Sequence, residues 1–198
     1  MPAPRLEPVE IQARAIDNLR YIRQTMERAG SFTAVPGLGG LLMGSTALVA
    51  AWASGPVAGT ARWLAAWLVE AAIAVAIGAA GSVLKSRKAK LPLLSGPGRR
   101  FVAGFTPAMA AGAVLTAALI ERGQPALLPG LWLLLYGAAI FSGGWASVRI
   151  VPLMGACFMA IGAASLLMPL ATGTVMLAAG FGGLHIVFGT IIAVKYGG

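Results

Sequence analysis

The chain has 198 residues, of which 58% are hydrophobic and 11% are charged, whereas charged residues make up about 25% of a typical soluble domain. This composition excludes a water-soluble globular protein and indicates a polytopic membrane protein. The net charge of +9 would favour a nucleic-acid partner in a soluble protein. Here Lys and Arg lie between apolar runs, so we expect them to set membrane topology and expect no nucleic-acid partner.

Residues 1–34 precede the first long apolar run and predict an amphipathic helix on the cytoplasmic side. Apolar residues recur there at alternating spacings of four and three, which is the periodicity of one helix face. Three fates are open for this helix: insertion into the membrane interface against anionic headgroups, pairing with a second copy of the chain, or packing on the membrane domain. The apolar face comprises Ala15, Leu19, Ile22, Met26 and Ala29.

Residues 35–198 contain six apolar segments, each near the length of about 20 residues that a helix needs to cross a bilayer. We therefore predict an all-α fold with six transmembrane helices. The segments are residues 35–54, 63–84, 101–120, 130–148, 152–168 and 172–194.

The distribution of Lys and Arg predicts the orientation in the membrane. With the N-terminus in the cytoplasm, 13 of the 15 basic residues fall on the inner side, and only Arg62 and Arg122 fall on the outer side. Both termini are then cytoplasmic, and residues 85–100 form a basic inner loop that either only sets the topology, which we favour, or is held against anionic lipid. The frequent use of Ala, Gly and Arg is typical of a GC-rich bacterial genome, so we expect a bacterial inner-membrane protein.

Two stretches of the chain resemble each other and predict an internal repeat. Residues 35–55 and 128–148 align without a gap at nine of 21 positions, with a shared Pro-Gly start and Trp-Ala-Ser end. The sequence AIGAA also occurs twice, at 76–80 and at 160–164. Because three crossings separate the matching segments, the two halves, 35–121 and 128–194, are predicted to be inverted three-helix repeats. Such repeats are common in transporters.

Small residues are frequent in the predicted helices and indicate close helix packing. Several glycines are separated by seven residues, which places both members of each pair on the same helix face. Such faces let helix backbones approach closely in a membrane. The pairs are Gly37 and Gly44, Gly130 and Gly137, and Gly155 and Gly162.

Residues 155–193 carry two of these glycines, then Pro169 between two helices, then Gly180 and Gly189. This pattern resembles the helical hairpin repeat of the HdeD family, small six-helix proteins of the bacterial inner membrane that are linked to acid resistance. The resemblance implies a six-helix membrane protein of the same class. It implies no catalytic residues, because none is established for that family.

Four polar residues inside the apolar segments are candidates for function: Glu70, His185, Tyr136 and Ser142. An ionisable side chain at membrane depth costs at least about 2.5 kcal/mol, so it is expected to face protein or water. Glu70 could be a hydrogen-bonded packing residue, a proton site or a cation ligand. Counted from the outer ends of their helices, Glu70 lies roughly 10 Å deep and His185 roughly 20 Å deep, so we expect no direct contact between them.

An enzyme is the less favoured prediction. Ser142 and His185 lie at depths similar to those of the catalytic pair in rhomboid proteases, but the serine occurs in GAAIFSGG rather than in GxSG. One cysteine, Cys157, excludes an intrachain disulfide and a cluster of thiolate ligands. We therefore expect no cofactor and no metal.

Two functions remain open. The first is a non-enzymatic membrane module that packs, forms homo-oligomers or accompanies a partner membrane protein. The second is a small transporter or channel for a solute or ion, with Glu70 as the coupling or selectivity residue. A transporter requires a water-filled cavity that reaches Glu70, whereas a packing module would seal Glu70 between Ala and Trp side chains.

Overall fold

The computed structural model describes residues 16–19, 21–22, 33, 35–88 and 96–196. These residues form helices and no β-strand, and six of the helices are long and apolar enough to cross a membrane. They are α1 (Gly37–Ser54), α2 (Ala61–Lys88), α3 (Gly96–Glu121), α4 (Leu128–Gly144), α5 (Ile150–Leu167) and α6 (Leu170–Tyr196).

The N-terminal amphipathic helix falls mostly outside the described residues. Residues 16–19 and 21–22 are helical, and the contacts of the chain divide it into two units, Met1–Ser31 and Phe32–Gly198. The amphipathic helix therefore stays a prediction over the rest of its length.

The helices α2 and α3 extend beyond the apolar segments that predicted them. The sequence predicted a basic loop over residues 85–100, but α2 continues to Lys88 and α3 begins at Gly96. Lys85, Arg87 and Lys88 occupy the last turn of α2, where cations interact favourably with the helix dipole. A run of apolar residues predicts the part of a helix that lies in lipid. The helix itself continues beyond that part into polar residues at its end.

Two antiparallel helix pairs, α1 with α6 and α4 with α5, pack through glycines. A Cβ added at Gly44 would lie 2.7 Å from the carbonyl oxygen of Gly182 in α6, and one at Gly137 would lie 2.6 Å from the amide nitrogen of Met159 in α5. Both distances are too short for a real Cβ, so only glycine permits this approach. Gly37 likewise contacts α6, Gly130 contacts α5, and Gly155 and Gly162 contact α4.

Helices α1 and α4 run in opposite directions. α1 is antiparallel to α6, because Gly37 lies beside Ala193 and Gly44 beside Gly182. α6 is parallel to α4, because Gly180 lies beside Leu133 whereas His185 contacts Tyr136 one turn further along. This is the relation that an inverted repeat requires. The equivalent glycines of α1 and α4 nevertheless pack on helices that are not equivalent, α6 and α5, so the repeat stays a prediction.

Tryptophans and basic residues mark the two ends of the bundle. Trp52 and Trp145, which are equivalent in the sequence repeat, are 85% and 73% exposed and lie at opposite ends. Exposed tryptophans are typical of the membrane–water interface. Of the nine Lys and Arg residues in the described chain, seven lie at the end where α1 begins, and Arg62 and Arg122 lie at the other.

The helices α2 and α3 lie at the edge of the bundle. In the 18-residue apolar stretch of each helix, only 11% of the residues of α2 and 6% of those of α3 are buried, against 33–44% in the other four helices. α2 packs on α1 and α3 packs on α4, but α2 and α3 scarcely touch each other. The gap between them forms part of a cavity.

Candidate functional site

A cavity of about 820 Å³ lies between α2, α3 and the core helices. Its walls are mainly apolar, and they include a face of small residues on each of the two edge helices. Cavities of this size and character are typical of sites for small molecules. The small residues are Ala74, Gly78 and Ser82 on α2 and Ala108, Gly112 and Ala113 on α3.

Glu70 of α2 is 6% exposed and lines this cavity. Its Oε1 lies 2.9 Å from Oγ1 of Thr46 on α1, and no described residue bonds to its Oε2. Thr46 Oγ1 also lies 3.0 Å from the carbonyl oxygen of Met43. A hydroxyl has one hydrogen to donate, so a protonated Glu70 would donate to Thr46 while Thr46 donates to the backbone, and a carboxylate would accept from Thr46.

His185 lies on the wall formed by α6 and is held from two sides. Its Nδ1 is 2.9 Å from the carbonyl oxygen of Phe181, which can only accept, so Nδ1 carries a hydrogen and donates. Nε2 of a neutral imidazole then accepts from the hydroxyl of Tyr136, at 2.8 Å. The pair Tyr136 and His185 is therefore a hydrogen-bonded link between α4 and α6.

A π-helical segment of α6 contains Phe181 and ends directly before His185. Residues Ala178–Leu184 form this wider turn, and the backbone N–H of His185 bonds to the carbonyl oxygen of Gly182 rather than to that of Phe181. Such turns occur frequently at functional sites. The glycines of this segment, Gly180, Gly182 and Gly183, leave room for the change in helix geometry.

The cavity ends in a cluster of tryptophans. Trp132 lines the cavity and stacks on the fully buried Trp63 with 5.4 Å between ring centroids. Trp63 Nε1 donates to Thr174 Oγ1 at 3.0 Å, and Trp132 Nε1 donates to Thr116 Oγ1 at 2.8 Å. Trp67 also lines the cavity, but its Nε1 is buried without an acceptor among the described residues.

Residues that are equivalent in the two predicted halves face the same cavity. At the 93-residue spacing of the first match, Met43 is equivalent to Tyr136 and Ala47 to Ile140, and all four residues line the cavity. At the 84-residue spacing of the AIGAA match, the pairs are Trp67 with Val151 and Glu70 with Met154, and these residues line it as well. Both predicted halves therefore contribute residues to the wall of the cavity.

The four candidate polar residues separate into two groups. Glu70, His185 and Tyr136 line one cavity, whereas Ser142 is exposed on the outside of α4. Glu70 and His185 have separate partners. Gly40 lies beside the carbonyl oxygen of His185, and Thr46 is six residues further along α1, so the two ionisable groups lie roughly 9 Å apart along the bundle.

Sequence reasoning missed three residues of the site, Thr46, Trp63 and Trp67. Thr46 was one of several hydroxyl residues at membrane depth, and no sequence signal distinguished the one that contacts Glu70. Trp63 and Trp67 are four residues apart and Glu70 follows three residues later, so a single face of α2 carries all three. That spacing was the available signal.

The site agrees with neither form expected from the sequence. Glu70 is not sealed by packing, because a cavity reaches it, but the cavity wall is apolar and lacks the polar lining that a water-filled transport path would require. Within residues 35–88 and 96–196, no three His, Cys, Asp or Glu side chains cluster as ligands of a metal ion would. No protein-family model, curated protein or solved structure matches this chain.

Proposed function

We propose that this integral membrane protein is a non-enzymatic module that binds an apolar molecule from the bilayer in the cavity between α2 and α3. The observation that carries the proposal is the cavity of about 820 Å³ with its apolar wall. The guest is either a lipid acyl chain or a small lipophilic solute, since both present the same chemistry to the wall. Binding of such a guest is driven by shape and dispersion contacts rather than by water release.

The positions of the polar side chains support a role without catalysis. Ser142 is exposed and does not line the cavity, and both ring nitrogens of His185 are engaged by Tyr136 and Phe181. A serine nucleophile needs a base within hydrogen-bond reach, which this arrangement does not provide.

Sequence features support further parts of the proposal. The facing repeat-equivalent residues support two inverted halves, 35–121 and 128–194, and the excess of Lys and Arg at one end supports cytoplasmic termini. We propose a bacterial inner-membrane location, an N-terminal helix on anionic headgroups, and assembly into a homo-oligomer or with a membrane partner. The pattern of residues 155–193 supports an HdeD-like class.

A transporter is the second candidate function, and a specific observation favours it. Glu70 is buried and lines a cavity to which both predicted halves contribute, with Oε2 unpaired among the described residues, and transporter sites commonly lie between two such halves. Under this function Glu70→Gln would abolish flux in proteoliposomes while leaving the fold intact. Normal flux in a Glu70→Leu variant would remove the candidate.

Native mass spectrometry of protein extracted in mild detergent tests the binding function. We expect wild-type chains to retain an apolar molecule and the double variant Ala74→Leu with Ala113→Leu to lose it, because both side chains line the cavity. The matched control is Ala76→Leu with Ala110→Leu, which adds the same bulk to exposed positions outside the cavity. Equal retention by all three proteins would contradict the proposal. The retained mass distinguishes a lipid from another solute.

A further inference from the structure

The charges around the cavity specify the guest more closely than its apolar wall does. Three titratable groups line it: Glu70 from α2, Tyr136 from α4 and His185 from α6. Among the described lining residues there is no Lys or Arg, and Glu70 is the only acidic one. The wall therefore favours a guest that is neutral or positively charged and disfavours an anion.

Among the titratable groups of the wall, hydrogen bonding leaves Oε2 of Glu70 available to the guest. His185 and Tyr136 satisfy each other, with the second imidazole nitrogen on Phe181. Glu70 bonds to Thr46 through Oε1 only. A carboxylate can accept several hydrogen bonds, so Oε2 is the acceptor that a bound molecule would use.

Six aromatic side chains contribute to the wall. The face of a ring attracts a cation within about 6 Å of its centroid, and this attraction strengthens when water is excluded. An aromatic wall also packs well against an apolar body. The rings belong to Trp67, Phe101, Phe105, Trp132, Tyr136 and Phe181.

We propose that the guest is a lipophilic organic cation, with an apolar body among these rings and its positive centre beside Oε2 of Glu70. This assignment rests on the proposed function, since it presumes that the cavity holds an apolar molecule. A buried carboxylate without a charged partner is costly in lipid, and a cation supplies the opposite charge. The shape and apolar wall of the cavity hold the apolar body of the guest, and Glu70 favours a guest with a positive charge.

Two ions of matched shape test the assignment on the purified full chain. Tetraphenylphosphonium and tetraphenylborate have nearly the same shape and opposite charges, and both partition into apolar surroundings. We expect the protein to bind the phosphonium tighter than the borate by about tenfold or more, measured by equilibrium dialysis after subtraction of binding to empty micelles. This comparison needs no variant, so it stays valid if a substitution at Glu70 impairs folding.

Variants of Glu70 then test whether this residue causes the preference for the phosphonium. Glu70→Gln keeps the shape of the side chain and removes its charge, so the preference for the phosphonium should fall to near unity, whereas Glu70→Asp should retain a preference. The cavity-filling pair Ala74→Leu and Ala113→Leu should weaken binding of both ions, and the outer pair Ala76→Leu and Ala110→Leu should weaken neither. Thermal unfolding and size-exclusion profiles confirm that each variant is folded.

The outcomes separate this inference from the proposed function. If both ions bind equally to the wild type, or if Glu70→Gln keeps the full preference, the assignment of a cation is overturned. The binding function survives that result provided that the cavity-filling pair weakens binding. If the cavity-filling pair binds both ions as the wild type does, the cavity is not the site, and both proposals fail.

Discussion

The same five residues, Ala-Ile-Gly-Ala-Ala, occur in α2 at 76–80 and in α5 at 160–164, in contrasting surroundings. A Cβ added at Gly162 of α5 would overlap the backbone of Leu134 in α4. A Cβ added at Gly78 of α2 would meet only the flexible end of Met43, at 3.7 Å. One motif is thus closed against its neighbouring helix and the other borders an open cavity.

We attribute the open packing of the motif in α2 to bulky side chains earlier in that helix. At the 84-residue spacing, Trp63 and Trp67 of α2 correspond to Ser147 and Val151 around the start of α5. The two indoles are buried and are larger than serine and valine, so we expect them to hold α2 further from the core. Close packing of a small-residue face requires that its neighbours along the helix are also small. The motif permits close approach, but we expect residues two to four turns away to decide whether it occurs.

Adding a methyl group to the central glycine of each motif should give the largest difference in stability between the two copies. Gly162→Ala forces the backbones of α4 and α5 apart, and overpacking of this kind costs about 1–3 kcal/mol. Gly78→Ala has space and should change the unfolding free energy little. Thermal unfolding in detergent measures both. A similar loss of stability at the two positions would show that α2 is packed as closely as α5.

The tryptophan cluster of α2 should also stabilise the packing of that helix on the core. Trp63→Phe removes the hydrogen bond to Thr174 and part of the stack on Trp132, and a net loss of about 1–2 kcal/mol is expected. Trp52→Phe is the matched control, because Trp52 is exposed on α1. If both variants unfold at the wild-type temperature, the cluster does not hold α2 in place.

A smaller effect is expected at the link between α4 and α6. Tyr136→Phe removes the hydroxyl that donates to His185, and polar contacts between membrane helices average about 0.6 kcal/mol. The chain has a single histidine, so ¹⁵N-histidine labelling with a histidine-free tag gives one imidazole to observe by NMR. The wild type should show a hydrogen on Nδ1 and a hydrogen-bonded Nε2, and the variant should shift Nε2. A ring protonated at Nε2 alone would contradict the assignment.

The smallest effect is expected on the open side, at Thr46. Thr46→Val keeps the shape of the side chain and removes the bond to Glu70 Oε1, with a cost of about 0.6 kcal/mol or less. Ser45→Ala is the control, because Ser45 bonds only to the carbonyl oxygen of Leu41 in its own helix. A cost above that of Gly162→Ala would mean that the open side, rather than the glycine contacts, carries the stability of the bundle.

The sequence by itself determined the helical class, the six membrane-crossing segments and the polar residues worth following. These depend on local properties, since about 20 consecutive apolar residues must be helical in lipid. It also separated Glu70 from His185, because depth follows from counting residues along a helix of known rise.

Only the tertiary structure decided which faces of the helices meet. The repeat-equivalent glycines Gly44 and Gly137 are alike in sequence but pack on α6 and α5 respectively, and Ser142 is exposed and does not line the cavity that Tyr136 lines. The helix on which a given face packs depends on the shapes of all the surrounding helices. Because lipid tails are as apolar as the side chains, an apolar residue in a membrane helix gains no hydrophobic free energy by packing against protein, and its apolarity does not predict that it is buried. For that reason the cavity between α2 and α3, and with it the role proposed for Glu70, could not be predicted from the order of the residues.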